Sequence, residues 1–376
     1  MTTTLGGRVL PAAVRTGGEF ATVARAWPLG DPDGQRLDLR FEGRDTEERV
    51  RAGRLTLAAD TGDGYRLLAV ELAPPGRDPR LPTLATAAAR GEVVVHRLGR
   101  RAVVRAGGSY LKVVRPRAAA ELAERTGVAR ARAQAAGLDA PEVLSRTDGT
   151  VELSVLPGES LHLLGGAGEP SRWDAAWQAW AQRWPAFARG DQRGLPAHTA
   201  ADESVVVEKA VRGALAAGVL TDPSGRLGSR VEQVLGALGT PMDRPGPVVS
   251  HRDLHDKQVL VGERVGVLDL DTVALAEPAL DLANLAVHAR LRVDQGLWSP
   301  QRHRTAVAAI EAVAGELAVP AQRMQAYAAA TVLRLAALYA FRPRWQGLAR
   351  TWAAEAADDE SFLMDASSAT HPRAGG

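Results

Sequence analysis

The sequence contains no cysteine and only three lysines among its 46 basic residues: Lys112, Lys209 and Lys257. The lack of cysteine excludes disulfide bonds and thiolate metal sites. No apolar run is long enough to span a bilayer, and the N-terminus does not read as a secretion signal. We therefore expect a cytoplasmic globular protein that has no membrane partner.

The charges nearly balance, with 46 basic and 44 acidic residues and a formal net charge of +2 at pH 7. Aromatic residues make up only 5% of the chain, and they are not interleaved with a basic stripe, which argues against a nucleic acid partner. Because arginine has replaced lysine almost everywhere, a remaining lysine indicates a position that needs a compact ammonium group. The pattern leaves the oligomeric state open.

A chain of 376 residues can bury a large core and hold two or three structural units. We predict an N-terminal cap, a β-rich lobe, a mainly helical lobe and a disordered tail, at residues 1–87, 88–158, 159–365 and 366–376. Short alternating runs separated by turn residues predict a small antiparallel sheet with one or two helices in the cap. These runs are Arg36–Phe41, Arg54–Ala58 and Tyr65–Leu72.

The β-rich lobe is predicted to contain four strands and one helix. The strands are expected at Val93–His96, Ala102–Arg105, Tyr110–Val114 and Val151–Leu156. The helix is expected to begin at Pro116 and to end near Gly137, since a glycine commonly terminates a helix.

The helical lobe contains several long segments of strong helix formers. Three of them follow the middle of the chain, at Leu280–Val293, His303–Leu317 and Ala321–Tyr339. Upstream, four tryptophans recur at helical spacing, at positions 173, 177, 180 and 184. We predict that they form a core face, with stacking of a sugar on one exposed ring as the alternative.

Residues His251–Gln258 and Val267–Asp271 carry the most specific pattern. A carboxylate such as Asp253 can orient a hydroxyl and accept its proton. The carboxylate of Asp269 is an oxygen ligand of the kind that Mg²⁺ prefers, and the amide of Gln258 offers a second such oxygen. On a strand, Asp271 would face the same side as Asp269 and could join the metal shell directly or through water. The alternative is a turn residue that caps the chain before Val273. This equipment is typical of phosphoryl transfer to a hydroxyl group.

The pattern resembles the aminoglycoside phosphotransferase and choline kinase group, in which the loop reads His-Gly-Asp-Leu-His-x-x-Asn. The resemblance continues through Glu277–Ala283 and covers about residues 88 to 355. It implies an α+β, bilobal protein-kinase-like fold to which the N-terminal cap is added. It also implies that Asp253 serves the acceptor hydroxyl, that Asp281 braces the catalytic loop, and that Gln258, Asp269 and Asp271 hold Mg²⁺.

Two residues depart from the group's pattern: Arg252 replaces the usual glycine and Gln258 replaces the usual asparagine. Glutamine keeps the amide oxygen and adds one methylene group, so metal ligation can survive the change. Glutamine at this position is common in maltokinase-like and glucosamine-kinase-like sugar kinases. Maltokinase-like enzymes also carry an N-terminal cap.

The resemblance further implies that ATP, with GTP as an alternative, lies between the lobes. Its base would lie against the hinge residues Leu153, Ser154 and Val155. Lys112 would bind the α- and β-phosphates and pair with a glutamate of the following helix. The spacing favours Glu124 for this pairing, and Glu121 is the alternative.

The remaining residues of the catalytic loop are expected to support it. His251 is expected to pack against the metal-aspartate segment, and His255 to organise the loop. For Lys257 two roles stay open, an approach to the γ-phosphate or an ion pair with Asp256. The turn around Gly99 has one glycine where protein kinases have three, so its backbone does not predict a phosphate cradle.

The predicted activity is the phosphorylation of a small polar molecule, a sugar or an amino sugar. Two other enzyme activities compete with it: an antibiotic phosphotransferase of the aminoglycoside type and a peptide Ser/Thr kinase of a biosynthetic pathway. A nucleotide-binding pseudokinase scaffold would be expected to have lost Lys112, Asp253 or Asp269, and all three are present.

Overall fold

The computed structural model describes residues 7–32, 35–60, 64–241 and 245–358. These residues form a β-rich N-terminal unit, a second sheet with one long helix, and a large helical part. The predicted α+β class with a small β-rich lobe, a large mainly helical lobe and an extra N-terminal cap is confirmed. The predicted unit boundaries stay predictions, and the predicted tail at 366–376 lies outside the described residues.

The cap contains a hairpin and a four-stranded antiparallel sheet whose strands follow each other in chain order. The hairpin consists of β1 (Ala13–Thr16) and β2 (Glu19–Thr22), and the sheet of β3 (Arg25–Pro28), β4 (Arg36–Arg44), β5 (Val50–Ala59) and β6 (Tyr65–Leu72). All three predicted strands are present. A short helix α1 (Leu84–Ala88) follows.

The cap does not have a core of its own. Phe41 of β4 and Leu57 of β5 belong to the same cluster of buried apolar side chains as Tyr327 and Trp352 from the C-terminal helices. Nothing in the sequence predicted this continuous core, because the cap strands and the C-terminal helices each show only the ordinary apolar periodicity of a half-buried element. The cap is therefore attached to the helical lobe by hydrophobic packing.

The second sheet has five antiparallel strands in the order β10-β11-β9-β8-β7. They are β7 (Glu92–Arg97), β8 (Arg101–Ala106), β9 (Ser109–Val114), β10 (Val143–Arg146) and β11 (Thr150–Ser154). Helix α2 (Ala118–Ala135) connects β9 to β10, and Gly137 follows it with φ +75°, in the left-handed conformation that favours glycine after a helix. Strand β10 was not predicted, since it is short and largely exposed.

The C-terminal part contains eight helices within the described residues. They are α3 (Leu161–Ala167), α4 (Pro170–Ala188), α5 (Ala200–Ala216), α6 (Arg226–Gly239), α7 (Pro278–Asp294), α8 (Pro300–Glu316), α9 (Ala321–Tyr339) and α10 (Gln346–Asp358). The three helices predicted after residue 279 correspond to α7, α8 and α9. No helix in the described part of the chain has the length and apolarity needed to cross a membrane.

The four tryptophans of α4 are each at most 1% exposed. Trp173 also packs edge-to-face against Trp298, with ring centroids 4.9 Å apart. The core interpretation is confirmed, and a sugar stacked on one of these four rings is excluded because none of them reaches the surface.

Five short strands hold the segments that carry the catalytic pattern. They are β12 (Glu159–Ser160), β13 (Val248–Ser250), β14 (Val259–Val261), β15 (Val265–Val267) and β16 (Ala274–Ala276). Strands β12, β14 and β15 form one sheet, and β13 pairs with β16. The loop 251–258 therefore lies between β13 and β14, and the segment 268–273 lies beside it between β15 and β16.

Candidate active site

The catalytic loop is held at its start by the buried carboxylate of Asp281 in α7. The Ser250 hydroxyl and the His251 amide donate to Asp281 Oδ2 at 2.8 and 2.6 Å, and the Arg252 amide donates to Oδ1 at 2.8 Å. Hydrogen bonds of backbone N–H groups to a carboxylate are strong and directional. Asp281 is thus placed as the resemblance implied, under the first residues of the loop.

His251 joins the catalytic loop to the segment that precedes Asp269. Its ring is buried, and Nε2 donates to the carbonyl oxygen of Leu268 at 2.7 Å. Nδ1 accepts the amide of Asp253 at 3.3 Å, which assigns the proton to Nε2. The expected packing of His251 against this segment is present.

Arg252 has a left-handed backbone with φ +70°, which explains why the resembled group has glycine here. An L-residue in this conformation costs roughly 1–2 kcal/mol. The next residue, Asp253, is exposed, and its side chain does not line the cavity described below. Asp253 is therefore accessible to solvent, and its role toward an acceptor stays a prediction.

Lys112 lies on β9, in the middle of the five-stranded sheet, and bridges the two carboxylates of the metal segment. Its Nζ is 2.5 Å from Asp269 Oδ1 and 2.7 Å from Asp271 Oδ1. Burial opposes ionisation of Asp269, but the nearby Lys112 ammonium outweighs it and lowers the pKa of Asp269 to about 2. Burial also opposes the charge on Lys112, and the two carboxylates raise its pKa despite this. Lys112 and Asp269 are therefore both charged at neutral pH.

The expected pairing of Lys112 with Glu124 is not present. Glu124 is exposed, and no hydrogen bond or ion pair joins it to Lys112 among the described residues. Glu121 pairs with Arg125 at 2.7 Å on the same helix. The partners of Lys112 are not on the adjacent helix: Asp269 and Asp271 approach it from more than 150 positions away along the chain.

A cavity of about 370 Å³ collects most of the predicted nucleotide and metal residues. Its wall includes the hinge residues Leu153, Ser154 and Val155 together with Lys112, Gln258, Asp269 and Asp271. Val103, Leu156 and Leu268 supply apolar surface, which suits a flat heterocyclic base beside a polar end. The structure thus brings together seven residues that come from four separate stretches of the sequence.

A second cavity of about 290 Å³ meets the first at Lys112, Asp269 and Asp271. It is lined by Arg101 and Arg125, two cations that the sequence analysis missed. The register of the strands could have revealed Arg101: it lies opposite Val114 on β9, and Val103, two residues on, lies opposite Lys112. Arg101 and Lys112 therefore point to the same face of the sheet.

The turn between β7 and β8 is held by the buried carboxylate of Asp78. Gly99, which has φ +65°, donates its amide to Asp78 Oδ2 at 2.6 Å, and His96 Nε2 is 3.1 Å from the same oxygen. Because this amide is already used, the turn does not offer it to a phosphate.

Asp256 and His255 anchor the centre of the catalytic loop. Asp256 is fully buried and accepts two hydrogen bonds from Arg292, at 2.7 and 2.8 Å. His255 stacks on His288, with ring centroids 4.8 Å apart. Its Nε2 is 3.4 Å from the side-chain nitrogen Nε2 of Gln258. His255 thus contacts both α7 and the end of the loop, and its role in organising the loop stays a prediction.

Lys257 makes no ion pair with Asp256 within the described parts of the chain, and its side chain is exposed. The carboxylate of Asp256 is taken by Arg292 and by His162 Nδ1, which is 2.7 Å away. Of the two roles considered for Lys257, the ion pair is therefore not present, and the approach to a phosphate stays a prediction.

His255, Asp256 and His288 have ligand atoms within 4.8 Å of one another, a spacing that a metal ion could use. However, the Arg292 guanidinium already covers both oxygens of Asp256. A cation would have to displace this buried positive charge, so we assign the group a structural role.

We predict that Lys112→Arg will weaken ATP binding nearly as much as Lys112→Ala. The ammonium reaches two carboxylates at 2.5 and 2.7 Å from a crowded strand, and a planar guanidinium is too wide for this position. Nucleotide affinity, measured by calorimetry, is the test. Lys209→Arg on α5 is the matched control and should bind ATP normally; an affinity retained in Lys112→Arg would contradict the prediction.

No protein-family model and no curated protein matches this sequence. Solved structures similar to it include aminoglycoside phosphotransferase APH(3'')-Id from Streptomyces rimosus, at 22% identity and a TM-score of 0.46, over 69% of this chain and 96% of that chain. A choline/ethanolamine kinase family protein from Mesorhizobium loti is similar at 20% identity and a TM-score of 0.49, over 77% and 94%. A glucosamine kinase is similar at 17% identity and a TM-score of 0.42, over 88% and 90%.

These proteins carry the names of the group that the catalytic motif resembles. All three TM-scores lie below 0.5.

Proposed function

We propose that this protein is an ATP- and magnesium-dependent phosphotransferase that moves the γ-phosphate to a hydroxyl group of a small sugar or amino sugar. One observation carries the proposal: Lys112, Gln258, Asp269 and Asp271 line the same cavity as the hinge residues 153–155. Phosphoryl transfer depends on cationic and metal-binding groups held beside the nucleotide.

The donor atoms in the cavity fit magnesium. Asp269, Asp271 and Gln258 offer carboxylate and amide oxygens, the hard ligands that Mg²⁺ takes. When bound, the ion would neutralise charge on the phosphates. The low pKa of Asp269, which burial opposes and the Lys112 ammonium sustains, keeps this carboxylate ionised and able to act as a ligand throughout the physiological range.

The chain's own residues supply the remaining parts of the reaction. Lys112 would bind the phosphates from the sheet, and Arg101, which lies on the same face, would add a second cation. Asp253 would accept the hydroxyl proton as the new P–O bond forms. Asp281 and His251 hold the backbone of Asp253 and of the two residues before it through the hydrogen bonds described above, which would limit the directions in which its carboxylate can point.

The choice of acceptor rests on the resemblance, in which Gln258 and the N-terminal cap point to the sugar-kinase branch. An antibiotic phosphotransferase or a peptide Ser/Thr kinase would use the same phosphate and metal residues. A pseudokinase scaffold is disfavoured, because Lys112, Asp253 and Asp269 are all present and the cavity joins two of them to the hinge. GTP stays an alternative phosphoryl donor.

Nucleotide consumption with a panel of sugars, amino sugars, aminoglycosides and Ser/Thr peptides tests the proposal. We expect magnesium-dependent turnover with at least one sugar or amino sugar, and loss of that turnover in Asp269→Asn. If the protein binds neither ATP nor GTP in the presence of magnesium, the proposal is wrong. Turnover with peptides alone would replace it by the peptide kinase activity.

Variants at position 258 test the proposed metal role of Gln258. Gln258→Asn keeps an amide oxygen and should retain most activity, whereas Gln258→Ala removes the ligand. We expect Gln258→Ala to require a magnesium concentration at least about tenfold higher for half-maximal rate, a loss of ~1.4 kcal/mol in metal binding. Full activity and an unchanged magnesium dependence in Gln258→Ala would exclude this role.

A further inference from the structure

Helix α7 contacts the catalytic loop through a row of side chains on one of its faces. The members of the row are spaced three or four positions apart, which places them on the same side of a helix: Asp281, Asn284, His288 and Arg292. In the same order they contact successive parts of the loop: Ser250–Arg252, Leu254, His255 and Asp256. Asp253 therefore lies between two parts of the loop that α7 holds.

The second member of the row, Asn284, is the only asparagine in the sequence. Its side chain is fully buried, and both polar atoms of its amide are used. Nδ2 donates to the carbonyl oxygen of Leu254 at 2.8 Å, and Oδ1 accepts from the guanidinium of Arg334 on α9 at 2.6 Å. The single asparagine of this chain thus joins α7, α9 and the catalytic loop.

The two partners of Asn284 fix the orientation of its amide. A guanidinium can only donate a hydrogen bond and a carbonyl oxygen can only accept one, so Oδ1 has to face Arg334 and the NH2 group has to face Leu254. Arg334 Nε lies 3.6 Å from Oε1 of Glu203 on α5, and Oε2 of Glu203 is 3.0 Å from His198 Nε2. Helices α5 and α9 therefore act together on the amide of Asn284.

The contact to Leu254 bears on Asp253 because the two residues are neighbours in the chain. On the other side of Asp253, the His251 and Arg252 amides donate to Asp281, as described above. A shift of the Leu254 peptide group would move Asp253, whose own side chain is exposed. A displacement of about 1 Å at a reacting group can cost roughly 10²-fold in rate.

We propose that Asn284 is a positioning residue: it sets the position of Asp253 through the carbonyl of Leu254, and Arg334 keeps its amide in the required orientation. This inference rests on the proposed phosphotransferase activity, in which Asp253 accepts the hydroxyl proton. Asn284 is fully buried and acts without touching the acceptor. The proposal extends the site to α5 and α9, neither of which lines the nucleotide cavity.

Asn284→Asp tests the proposal by changing a single group. The carboxylate keeps the shape of the amide and an oxygen for Arg334, but it presents an oxygen instead of NH2 to the Leu254 carbonyl. We expect the turnover number to fall about 10²-fold while the KM for ATP is unchanged. Glucosamine is the acceptor, or glucose if the wild type phosphorylates it faster. A wild-type turnover number in Asn284→Asp would overturn the proposal.

Gln346→Glu is the matched control, because it also places a carboxylate where a buried amide was. Gln346 accepts the Leu10 amide at 2.9 Å and donates to the Ala340 carbonyl at 2.8 Å, away from the catalytic loop. Both variants should unfold at lower urea concentrations, whereas only Asn284→Asp should lose turnover per ATP-binding site. Equal losses of turnover in the two variants would indicate general destabilisation and overturn the specific role of Asn284.

The Asp253→Asn background separates positioning from a merely structural role. If Asn284 acts through Asp253, Asn284→Asp should have little further effect on the residual turnover of Asp253→Asn, because the group that it positions is already gone. A further loss of about 10²-fold in this background would contradict the route through Asp253.

Variants of Arg334 keep the proposal testable if Asn284→Asp does not fold. Arg334→Met removes the donor to Asn284 Oδ1 and should lower the turnover number about tenfold, as the loss of one hydrogen bond predicts. Arg334→Lys keeps a donor and a charge beside Glu203 and should recover most of this loss. Equal turnover in the wild type and Arg334→Met would overturn the orienting role of Arg334.

Nucleotide binding distinguishes the failure of this proposal from the failure of the proposed function. If the wild type binds ATP with magnesium and phosphorylates a sugar, but Asn284→Asp does so equally well, only the positioning role is wrong. If the wild type binds neither ATP nor GTP, the proposed function fails first and the positioning role falls with it.

Discussion

Replacement of Asp253 by asparagine should lower the turnover number by about 10²–10⁴, the range expected for loss of a general base. Asparagine keeps the size and the hydrogen-bonding shape of the side chain but cannot take up the hydroxyl proton. The affinity for ATP should barely change, because Asp253 is exposed and lies outside the cavity that joins Lys112 to the hinge.

Single-turnover kinetics and nucleotide binding, measured on the same preparation, test this expectation. Asp148→Asn is a suitable control, since Asp148 is also exposed and lies away from the catalytic loop. Near-normal turnover in Asp253→Asn would remove Asp253 from the proposed chemistry. A parallel loss of ATP affinity would instead indicate a misfolded loop.

The second large effect concerns stability: Asp256→Ala should lower the free energy of unfolding by about 3–5 kcal/mol. The change removes both acceptors of the buried Arg292 guanidinium and leaves that charge without a partner. The double variant Asp256→Ala with Arg292→Leu should recover much of the loss, since no buried charge remains. Urea unfolding of the wild type, the single variant and the double variant measures all three values.

This stability difference should depend on pH in a defined direction. Burial opposes ionisation of Asp256, but hydrogen bonds from His162, His255 and Arg292 outweigh it and hold its pKa well below the ordinary value. A depressed pKa stabilises the folded state above the unfolded value of about 3.9, and the contribution disappears as the pH falls through the folded-state pKa. The difference in unfolding free energy between wild type and Asp256→Ala should therefore have its largest value at pH 7 and decrease in acid. A gap that grows in acid would contradict the assignment.

Local patterns predicted the elements well because their causes are local. The strand Tyr65–Leu72 and the helix Ala321–Tyr339 were predicted with the bounds that the structure has. The tryptophan face of α4 followed from helical spacing alone. In each case, alternation or a 3.6-residue period reports directly which face of the element is buried.

The pairing of Lys112 could not be predicted in this way. Its partners, Asp269 and Asp271, reach it only because the β-rich lobe packs against the segment 268–273. No spacing rule connects segments so distant in sequence. The hydrogen bond from the Gly99 amide to the Asp78 carboxylate could not be predicted either, since its two residues belong to separate elements. What the sequence did identify is the chemistry of each group, because residue type limits what a side chain can do.

The continuous core between the cap and the C-terminal helices has a consequence for truncation. A chain that started at residue 88 would keep the cavity residues but would expose the faces of Tyr327 and Trp352 that now pack with Phe41 and Leu57. Exposed apolar patches of this kind favour aggregation. The cap also touches the other lobe, where Glu42 accepts the His96 amide. The β-rich lobe and the helical lobe are thus joined by the chain itself and also through the cap. A shortened protein would lose the connection through the cap.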